Sequence, residues 1–413
     1  MEHLTIAPLT LSQFLGMLVV MLAVAKVGGF LMQKLGQPAV LGELIGGVLV
    51  GRSWLGLVNP DYEAIHLLSE LGVVILLFAI GLETDLGQLI KVGATSFTVA
   101  VVGVALPFAM GFVACLLLGL PAIVSVMAGA TLTATSVGIT ARVLADLGRL
   151  REPEGQIILG AAVIDDILGL MILTVVVGLT EGKDVSLLSV LKTTGSAIGF
   201  LVATIAAGKL IVPVLFRWGS RIELPGTATA MALMTAFGLA WLAHRCGSEV
   251  IIGAFAAGLL VVSAPQAREI ERGITEIGHF FVPLFFVVVG ASVDLRALDP
   301  FQPATRFALF VGGVLIVVGV IGKLAAGYAP FWFRGNKTVI GVAMVPRGEV
   351  GLIFAQMGLA IGVFDAGLFG AVTLMVIVTT LVAPPCLKLL LGPAPDPLDE
   401  YDLEGIKELV TEA

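Results

Sequence analysis

The chain has 413 residues, of which 58% are hydrophobic and 13% are charged, and its formal net charge is −7. Soluble domains carry about 25% charged residues, so this composition excludes an ordinary soluble protein. The small net charge and the lack of a Lys/Arg block also exclude nucleic acid as an expected partner. Apolar runs of about 20 residues recur along the whole length, and each can cross a bilayer as a helix.

These runs predict an all-α polytopic membrane protein with thirteen transmembrane helices. In chain order, the predicted spans are residues 9–34, 38–51, 64–83, 91–119, 121–146, 153–178, 185–217, 226–244, 248–264, 270–293, 303–332, 336–362 and 366–391. Three links carry turn signals, namely Gly36-Gln37-Pro38, Gly119-Leu120-Pro121 and Leu224-Pro225-Gly226. The acidic segment 393–413 is expected to be a solvated cytoplasmic tail.

Basic residues in the short loops predict the orientation of the chain. If crossings alternate, most Lys and Arg residues near span ends fall on one side, including Lys34, Lys91 and Lys388. Few fall on the other side, such as Arg52 and Arg245. Because short cytoplasmic loops carry the excess of Lys and Arg, the N-terminus is expected outside and the C-terminus in the cytoplasm.

Thirteen spans divide into two groups of six joined by one connecting span. Because the connector adds one crossing, the second six are expected to be inverted relative to the first. Inverted repeats of this kind are common among secondary transporters. The fifth span of each group is interrupted at its centre, which supports the division.

The two interruptions have different compositions. Span 5 carries hydroxyl groups at its midpoint, from Thr131, Thr133 and Ser136, and span 12 reads Pro-Arg-Gly-Glu from Pro346 to Glu349. The proline removes a backbone donor, the glycine permits a break, and hydroxyl groups can bond to freed backbone groups. Simple hydroxyl bonding between helices and an ordinary proline kink are the alternatives.

Asp165 and Asp166 lie near the middle of span 6, with no other charge within several turns. A carboxylate at bilayer depth costs free energy and is found where it faces a cavity or a partner. Adjacent helical positions point about 100° apart, so the two acids cannot share one role. One is expected to face an aqueous funnel and the other a partner within the protein. A pair that only fixes helix packing is the alternative.

Lys323 lies inside span 11, too deep to reach the cytoplasmic interface easily. A buried lysine needs an acidic partner or loses its proton. The acids at similar depth are Asp165, Asp166 and Glu349. A lysine that extends to the interface and only anchors the helix is the alternative.

Other acids give weaker indications. Glu43, in the short glycine-rich span 2, can line a funnel or contact a lipid headgroup or a helix end. Charges at the cytoplasmic ends of spans 3 and 5 are expected to form a solvated loop face, with a gating network as the alternative. They are Glu83, Asp85, Asp146, Arg149 and Arg151.

Together these motifs resemble the monovalent cation:proton antiporter-2 family, and within it the electrogenic bacterial Na⁺/H⁺ antiporters with thirteen helices. The resemblance covers residues 9–391 and rests on the adjacent aspartates, Lys323 in the eleventh span and the two interruptions. It implies a core domain that moves against a dimerisation scaffold in an elevator-like alternating-access cycle. On this chain the scaffold would be residues 1–90 and 226–300, the core 91–180 and 301–392, and the linker helix 181–225.

The resemblance also implies residue roles. Asp166 would bind the proton or the metal ion, Na⁺, with Thr131 as a further ligand, and Asp165 would pair with Lys323. Binding of Na⁺ could break that pair and release a second proton, which would make exchange electrogenic. The supporting residues at the breaks and in the funnel would be Thr133, Ser136, Arg347, Glu349 and Glu43.

The expected function is secondary active exchange of Na⁺, and also Li⁺, for H⁺ across a bacterial inner membrane. A homodimer in contact with membrane lipid is expected, with no enzymatic activity and no cofactor beyond the transported ions. A K⁺/H⁺ antiporter of the same fold is the nearest alternative, because carboxylate and hydroxyl oxygens bind either ion. A sodium-coupled organic anion symporter shares crossed broken helices but should lack a buried lysine–aspartate pair. An intramembrane aspartyl protease needs its two aspartates on separate helices, which adjacent residues cannot provide.

Overall fold

The computed structural model describes residues 9–180, 187–219, 224, 226–293 and 303–392. The regular elements in these ranges are sixteen α-helices. They are α1 Leu11–Lys34, α2 Ala39–Val50, α3 Glu63–Glu83, α4 Leu86–Lys91, α5 Gly93–Leu117, α6 Ala122–Thr131, α7 Val137–Asp146, α8 Pro153–Thr180, α9 Leu187–Gly219, α10 Thr227–Arg245, α11 Val250–Val261, α12 Ala267–Ala291, α13 Pro303–Tyr328, α14 Lys337–Ala343, α15 Glu349–Ala360 and α16 Ala366–Leu391. The acidic segment 393–413 and Pro225 of the third turn signal lie outside the described residues.

The helix ends agree with the local sequence signals. Gly36 and Gly119 have φ values of +68° and +81°, a region that glycine adopts without steric cost, and they end the links before α2 and α6. Helix α4 was not predicted as a separate element. It begins after Asp85, whose carboxylate accepts the N–H groups of Gly87 and Gln88 and so acts as an N-cap.

Nine of the described helices are at least 18 residues long and apolar enough to cross a bilayer. Four shorter apolar helices accompany them, at Ala39–Val50, Ala122–Thr131, Val250–Val261 and Val350–Ala360. In lipid, backbone polar groups must be paired within the protein, and helices achieve this within one segment. The chain is therefore an integral membrane protein.

Two of the predicted spans are interrupted by non-helical backbone. Helix α6 ends at Thr131 and α7 begins at Val137, while α14 ends at Ala343 and α15 begins at Glu349. Both interruptions fall where hydroxyl groups, or a proline and a glycine, weaken the helix. The fifth and twelfth predicted spans are thus each two short helices.

The helices pack mainly in two groups. The α3 group consists of α1, α2, α3, α10, α11 and α12, and the α13 group consists of α5, α6, α8, α13, α14, α15 and α16. Helix α7 contacts both, packing on α8 and α16 from one group and on α2 and α3 from the other. Helix α9 lies against α8, α10 and α11. The interrupted helices therefore lie where they can reach the boundary between the groups.

Helix α2 is held within the α3 group by close backbone contacts. A Cβ atom at Gly42 would lie 2.0 Å from the carbonyl oxygen of Gly28 on α1. A Cβ atom at Gly47 would lie 2.2 Å from the carbonyl oxygen of Val287 on α12. Glycine lets membrane helices approach this closely, so the position of α2 is determined by both of its neighbours.

Replacement of Gly42 by Ala is expected to lower the thermal stability of the purified protein. Overpacking of a filled interface costs about 1–3 kcal/mol. The atoms that a Cβ atom at Gly42 would meet are backbone atoms, so no change of side-chain rotamer can relieve the clash. Gly16→Ala on α1 is the matched control, because no atom lies within 4 Å of its added Cβ. Equal unfolding midpoints for the two variants would contradict this account of the α1–α2 contact.

Candidate functional site

The two interrupted spans meet at their breaks. The backbone N–H of Ser136 donates to the carbonyl of Pro346 at 2.9 Å, and the hydroxyl of Thr140 donates to the carbonyl of Ala343 at 2.6 Å. Backbone groups that leave a helix inside lipid need partners from the protein. Each break provides such partners for the other.

Gly348 allows the two breaks to approach each other. A Cβ atom at this position would lie 2.5 Å from the hydroxyl oxygen of Ser136. Real Cβ contacts are essentially never that short. The glycine is therefore required by close packing, in addition to weakening the helix before α15.

The ammonium group of Lys323 lies at the first break. Its Nζ donates to the backbone carbonyl of Thr133 at 2.7 Å and to Oδ1 of Asp165 at 3.3 Å. The side chains of Lys323 and Asp165 are both 0% exposed. A buried charge is tolerated when it is paired and hydrogen-bonded. This lysine balances the charge of Asp165 and donates a hydrogen bond to a backbone carbonyl at the break.

The neighbouring acids on α8 have different surroundings. Asp165 is 1% exposed, whereas Asp166 is partly exposed. Successive helical residues point about 100° apart, so only one of the two can face Lys323 directly. Asp166 still lies within electrostatic reach of the lysine. The two carboxylates are thus coupled to one cation but differ in access.

Hydroxyl oxygens line the end of α6 and the break after it. Thr131 donates to the carbonyl of Ala128, and Thr133 to that of Ala130, both at 2.7 Å. A hydroxyl that donates its hydrogen keeps lone pairs for other partners. The hydroxyl oxygen of Ser136 is buried and makes no hydrogen bond with the described residues. The break therefore presents buried oxygen atoms with spare capacity.

Arg347 adds a second buried cation at the other break. It is 1% exposed, its Nη1 donates to the carbonyl of Met344 at 3.2 Å, and its own carbonyl accepts the hydroxyl of Thr380. Its Nε and Nη2 atoms have no hydrogen-bond partner among the described residues. Its charge acts on Asp165, so two buried cations attract this carboxylate.

Two further residues singled out from the sequence lie differently. Glu349 is the first residue of α15, but its side chain lies outside the described part of the structure. Glu43 is 4% exposed on α2, and its charged neighbours are Lys26, Arg142 and Asp146. The structure therefore places Glu43 with charges of α1 and α7.

A cavity of about 640 Å³ opens between α15 and the α3 group. Its wall includes Glu70, Glu249 and Gln356, and Val73 and Phe285 are among its apolar lining residues. A larger cavity of about 750 Å³ lies between α9, α10 and α11, but its lining is almost entirely apolar and includes no residue of the breaks. The smaller, polar cavity is the one next to an interrupted helix.

Arg142 is a residue that the sequence pattern did not mark. It lies in the last turns of α7, beside charges expected to form a solvated loop face, yet its side chain is only 20% exposed. Its Nε lies 3.1 Å from Oδ1 of Asp146. The spacing of four residues between them is the one signal in the sequence that could have indicated this ion pair.

The chain is similar to known membrane proteins over most of its length. The family profile described as "Sodium/hydrogen exchanger, transmembrane" matches residues 19–392. The high-affinity Na⁺/H⁺ antiporter NhaS3 of Synechocystis sp. is 42% identical over 93% of this chain and 91% of its own length. The Na⁺/H⁺-K⁺ antiporter GerN of Bacillus cereus is 34% identical over 92% of this chain and 97% of its own length. The structure of the sodium proton antiporter MjNhaP1 from Methanocaldococcus jannaschii covers 92% of this chain and 96% of that one, with a TM-score of 0.66 and 16% identity, which shows a shared fold.

Replacement of Lys323 by Ala is expected to destabilise the protein strongly. The change leaves Asp165 buried without its ammonium partner, and breaking a buried pair from one side costs about 3–5 kcal/mol. The double change Lys323→Met with Asp165→Asn removes both charges and is expected to recover much of the loss. Thermal unfolding of the purified variants measures this, with Lys91→Ala as a surface control. A single variant as stable as the double one would contradict the pairing.

Proposed function

This chain belongs to the sodium/hydrogen exchanger family, and we propose that it exchanges Na⁺ for H⁺ across a membrane. The observation that carries the proposal is the pair of adjacent acids on α8, with Asp165 sealed against Lys323 and Asp166 partly exposed beside it. Relatives named as Na⁺/H⁺ antiporters support the same activity.

In this proposal, the proton and the cation compete for Asp166. Its ionised carboxylate offers oxygen atoms and a negative charge, and Thr131 and the carbonyls at the break add further oxygens. Alkali cations, like other hard cations, prefer such ligands. When Asp166 takes up a proton, the charge is lost and the cation leaves. In either loaded form the charge at bilayer depth is reduced, which lowers the cost of moving the site.

Lys323 would provide a second exchangeable proton. Na⁺ bound beside the Asp165–Lys323 pair would compete with the ammonium group for the same carboxylates, and the lysine could then release its proton. Because the two groups are coupled, their titration belongs to the pair. Exchange of two protons for one Na⁺ would move net charge and would be electrogenic.

Alternating access would come from movement of the α13 group against the α3 group. We propose thirteen spans in two inverted six-helix repeats, with α6–α7 and α14–α15 as the corresponding interrupted spans. The scaffold would comprise residues 1–90 and 226–300 and the core 91–180 and 301–392, with 181–225 as linker. Support comes from the packing in two groups and from the cavity that opens between α15 and the α3 group.

The proposed setting is a bacterial inner membrane, with the N-terminus outside and the C-terminus in the cytoplasm. The Glu63 end of α3, where the cavity opens, would then face outward and the Glu83 end would face the cytoplasm. The scaffold would form a homodimer. Apolar side chains exposed on α1 and α10, such as Val19 (66%) and Trp241 (59%), are suited to contact with lipid or with a second copy.

K⁺ is the second candidate cation. Carboxylate, hydroxyl and carbonyl oxygens bind either ion, and the relative GerN is named as an antiporter of both Na⁺ and K⁺. The described residues contain the same ligand types for both ions, so discrimination must depend on small differences in site size and hydration.

Asp166→Asn is expected to abolish Na⁺-driven proton movement in proteoliposomes, because an amide cannot alternate between a charged and a neutral form. A pH-sensitive dye trapped in the vesicles reports the proton flux after Na⁺ is added. Asp61→Asn, an exposed acid in the cavity wall, is the control and should retain flux. Flux in the Asp166 variant above that of empty liposomes would remove this residue from the proposed role.

Proton release driven by Na⁺ and Li⁺ is expected to exceed that driven by K⁺ at equal concentration, and a membrane potential should change its rate. Lys323→Gln should weaken the response to voltage if the lysine carries the second proton. Cation preference is measured in sealed vesicles without an ionophore, and the voltage response is measured separately with Na⁺ as the driving ion and a potential imposed by valinomycin and a K⁺ gradient. A rate that K⁺ drives as well as Na⁺ would favour the second candidate, and an unchanged voltage response would exclude Lys323 as the carrier.

A further inference from the structure

We propose that Arg142 is a positioning residue that holds α7 against α2 and α3, and so stabilises the state in which the cavity beside α15 is open. The proposal rests on the proposed function only in requiring that the α13 group moves against the α3 group during exchange. It concerns the end of the molecule opposite the cavity, and it assigns a task to charges that the exchange mechanism does not use.

Helix α7 packs on helices of the α3 group that also line the cavity. Val73 and Phe285 line the cavity, and both also face α7. A Cβ atom at Gly138 of α7 would lie 3.4 Å from Phe285 Cε1, 3.5 Å from Leu76 Cδ2 and 3.7 Å from Val73 Cγ2. Gly138 therefore lies beside side chains of the α3 group, and α7 packs on α2 and α3. In this proposal, α7 closes the path between the cavity and the Glu83 end of α3.

Arg142 lies one helical turn beyond this seal. It pairs with Asp146 on its own helix at 3.1 Å, and its charge also acts on Glu43 of α2 and Glu83 of α3. One cation on α7 is thus attracted to two acids on the α3 group. An attraction across the boundary between the two groups favours the arrangement in which α7 is seated.

Glu43 makes this contact sensitive to movement. It is 4% exposed, and its Oε2 is buried with no hydrogen-bond partner among the described residues. The close glycine contacts of α2 prevent Glu43 from following α7 if that helix moves. A buried carboxylate that loses a nearby cation is costly, so displacement of α7 without another compensating charge is opposed.

Other charges near the two acids modify this attraction. Lys26 also acts on Glu43, and Arg151 acts on Glu83, whereas Glu271 opposes its ionisation. Asp146 lies near Glu43 and repels it. Because Arg142 attracts all three acids that surround it, its removal leaves mutual repulsion at the boundary. The side chain of Arg142 is 20% exposed, so solvent screening keeps the effect moderate.

The test measures access to Leu76 from the Glu83 end of α3. Leu76 is 4% exposed and lies beside Gly138 of α7, so a cysteine there is expected to be protected while α7 is seated. The reporter is Leu76→Cys in a chain whose three native cysteines, Cys115, Cys246 and Cys386, are replaced by Ala. A membrane-impermeant maleimide is applied separately to each side of sealed vesicles, and the labelling rate is followed.

Arg142→Ala is expected to raise the labelling rate from the Glu83 side roughly threefold to tenfold, as a moderate shift between two states allows. Glu43→Gln should act in the same direction, and the double variant should exceed Arg142→Ala by little, because both changes remove the same electrostatic attraction. Arg142→Lys keeps the charge and should label slowly. Arg149→Ala is the matched control, since Arg149 is 23% exposed and pairs with Glu152 three residues away.

An equal labelling rate in the reporter alone, Arg142→Ala and Glu43→Gln would overturn the proposal, as would an equal rise in Arg149→Ala. If Arg142→Ala does not fold, Glu43→Gln and Arg142→Lys decide the outcome. Na⁺-driven flux through Asp166→Asn, measured in parallel, tests the exchange mechanism separately. If Asp166→Asn loses this flux while Arg142→Ala is labelled at the rate of the reporter alone, the proposed function stands and Arg142 does not have the proposed role.

Discussion

A polar group inside the hydrocarbon of a bilayer must find its partner within the protein, and this constraint shapes the centre of the molecule. Two helices stop near the same place, and each leaves backbone N–H and carbonyl groups without helical partners. Ser136 and Thr140 donate hydrogen bonds to carbonyl groups at the other break. Lys323 and Arg347 donate to further carbonyl groups at the breaks. The meeting of the two breaks is therefore stabilised because their donors and acceptors are complementary.

The buried charges of Lys323 and Arg347 would also cost free energy if no acid lay near them. Asp165 balances Lys323 directly and lies within the field of Arg347. Asp166, the next residue along the helix, points about 100° away from Asp165 and is partly exposed. Adjacent positions on one helix thus separate a sealed charge from a more accessible one, to which the proposed function assigns the exchange. This difference connects the packing around the two breaks to the proposed chemistry.

The two breaks lie near a boundary between helices that pack through different kinds of contact. Glycine contacts with backbone atoms fix α2 between α1 and α12, and such contacts cannot yield by a change of rotamer. Helix α7 touches this fixed group through ordinary van der Waals contacts and through one shared cation. Contacts of that kind can separate and form again at moderate cost. The physical difference between the two kinds of contact suits a moving element packed on a stationary one.

Hydropathy and residue type along single segments determined a large part of this protein. The long apolar runs predicted the helices, and the hydroxyl groups at Thr131–Ser136 and the Pro346–Gly348 pair predicted both interruptions, because helix stability in lipid depends on local backbone chemistry. Only the tertiary structure decided which charges meet. Lys323 and Asp165 are 158 positions apart, and three acids at similar depth were open as partners. Glu43 likewise lies within electrostatic reach of Arg142 on a distant helix. Partners across helices depend on how whole surfaces pack, and no local pattern encodes that.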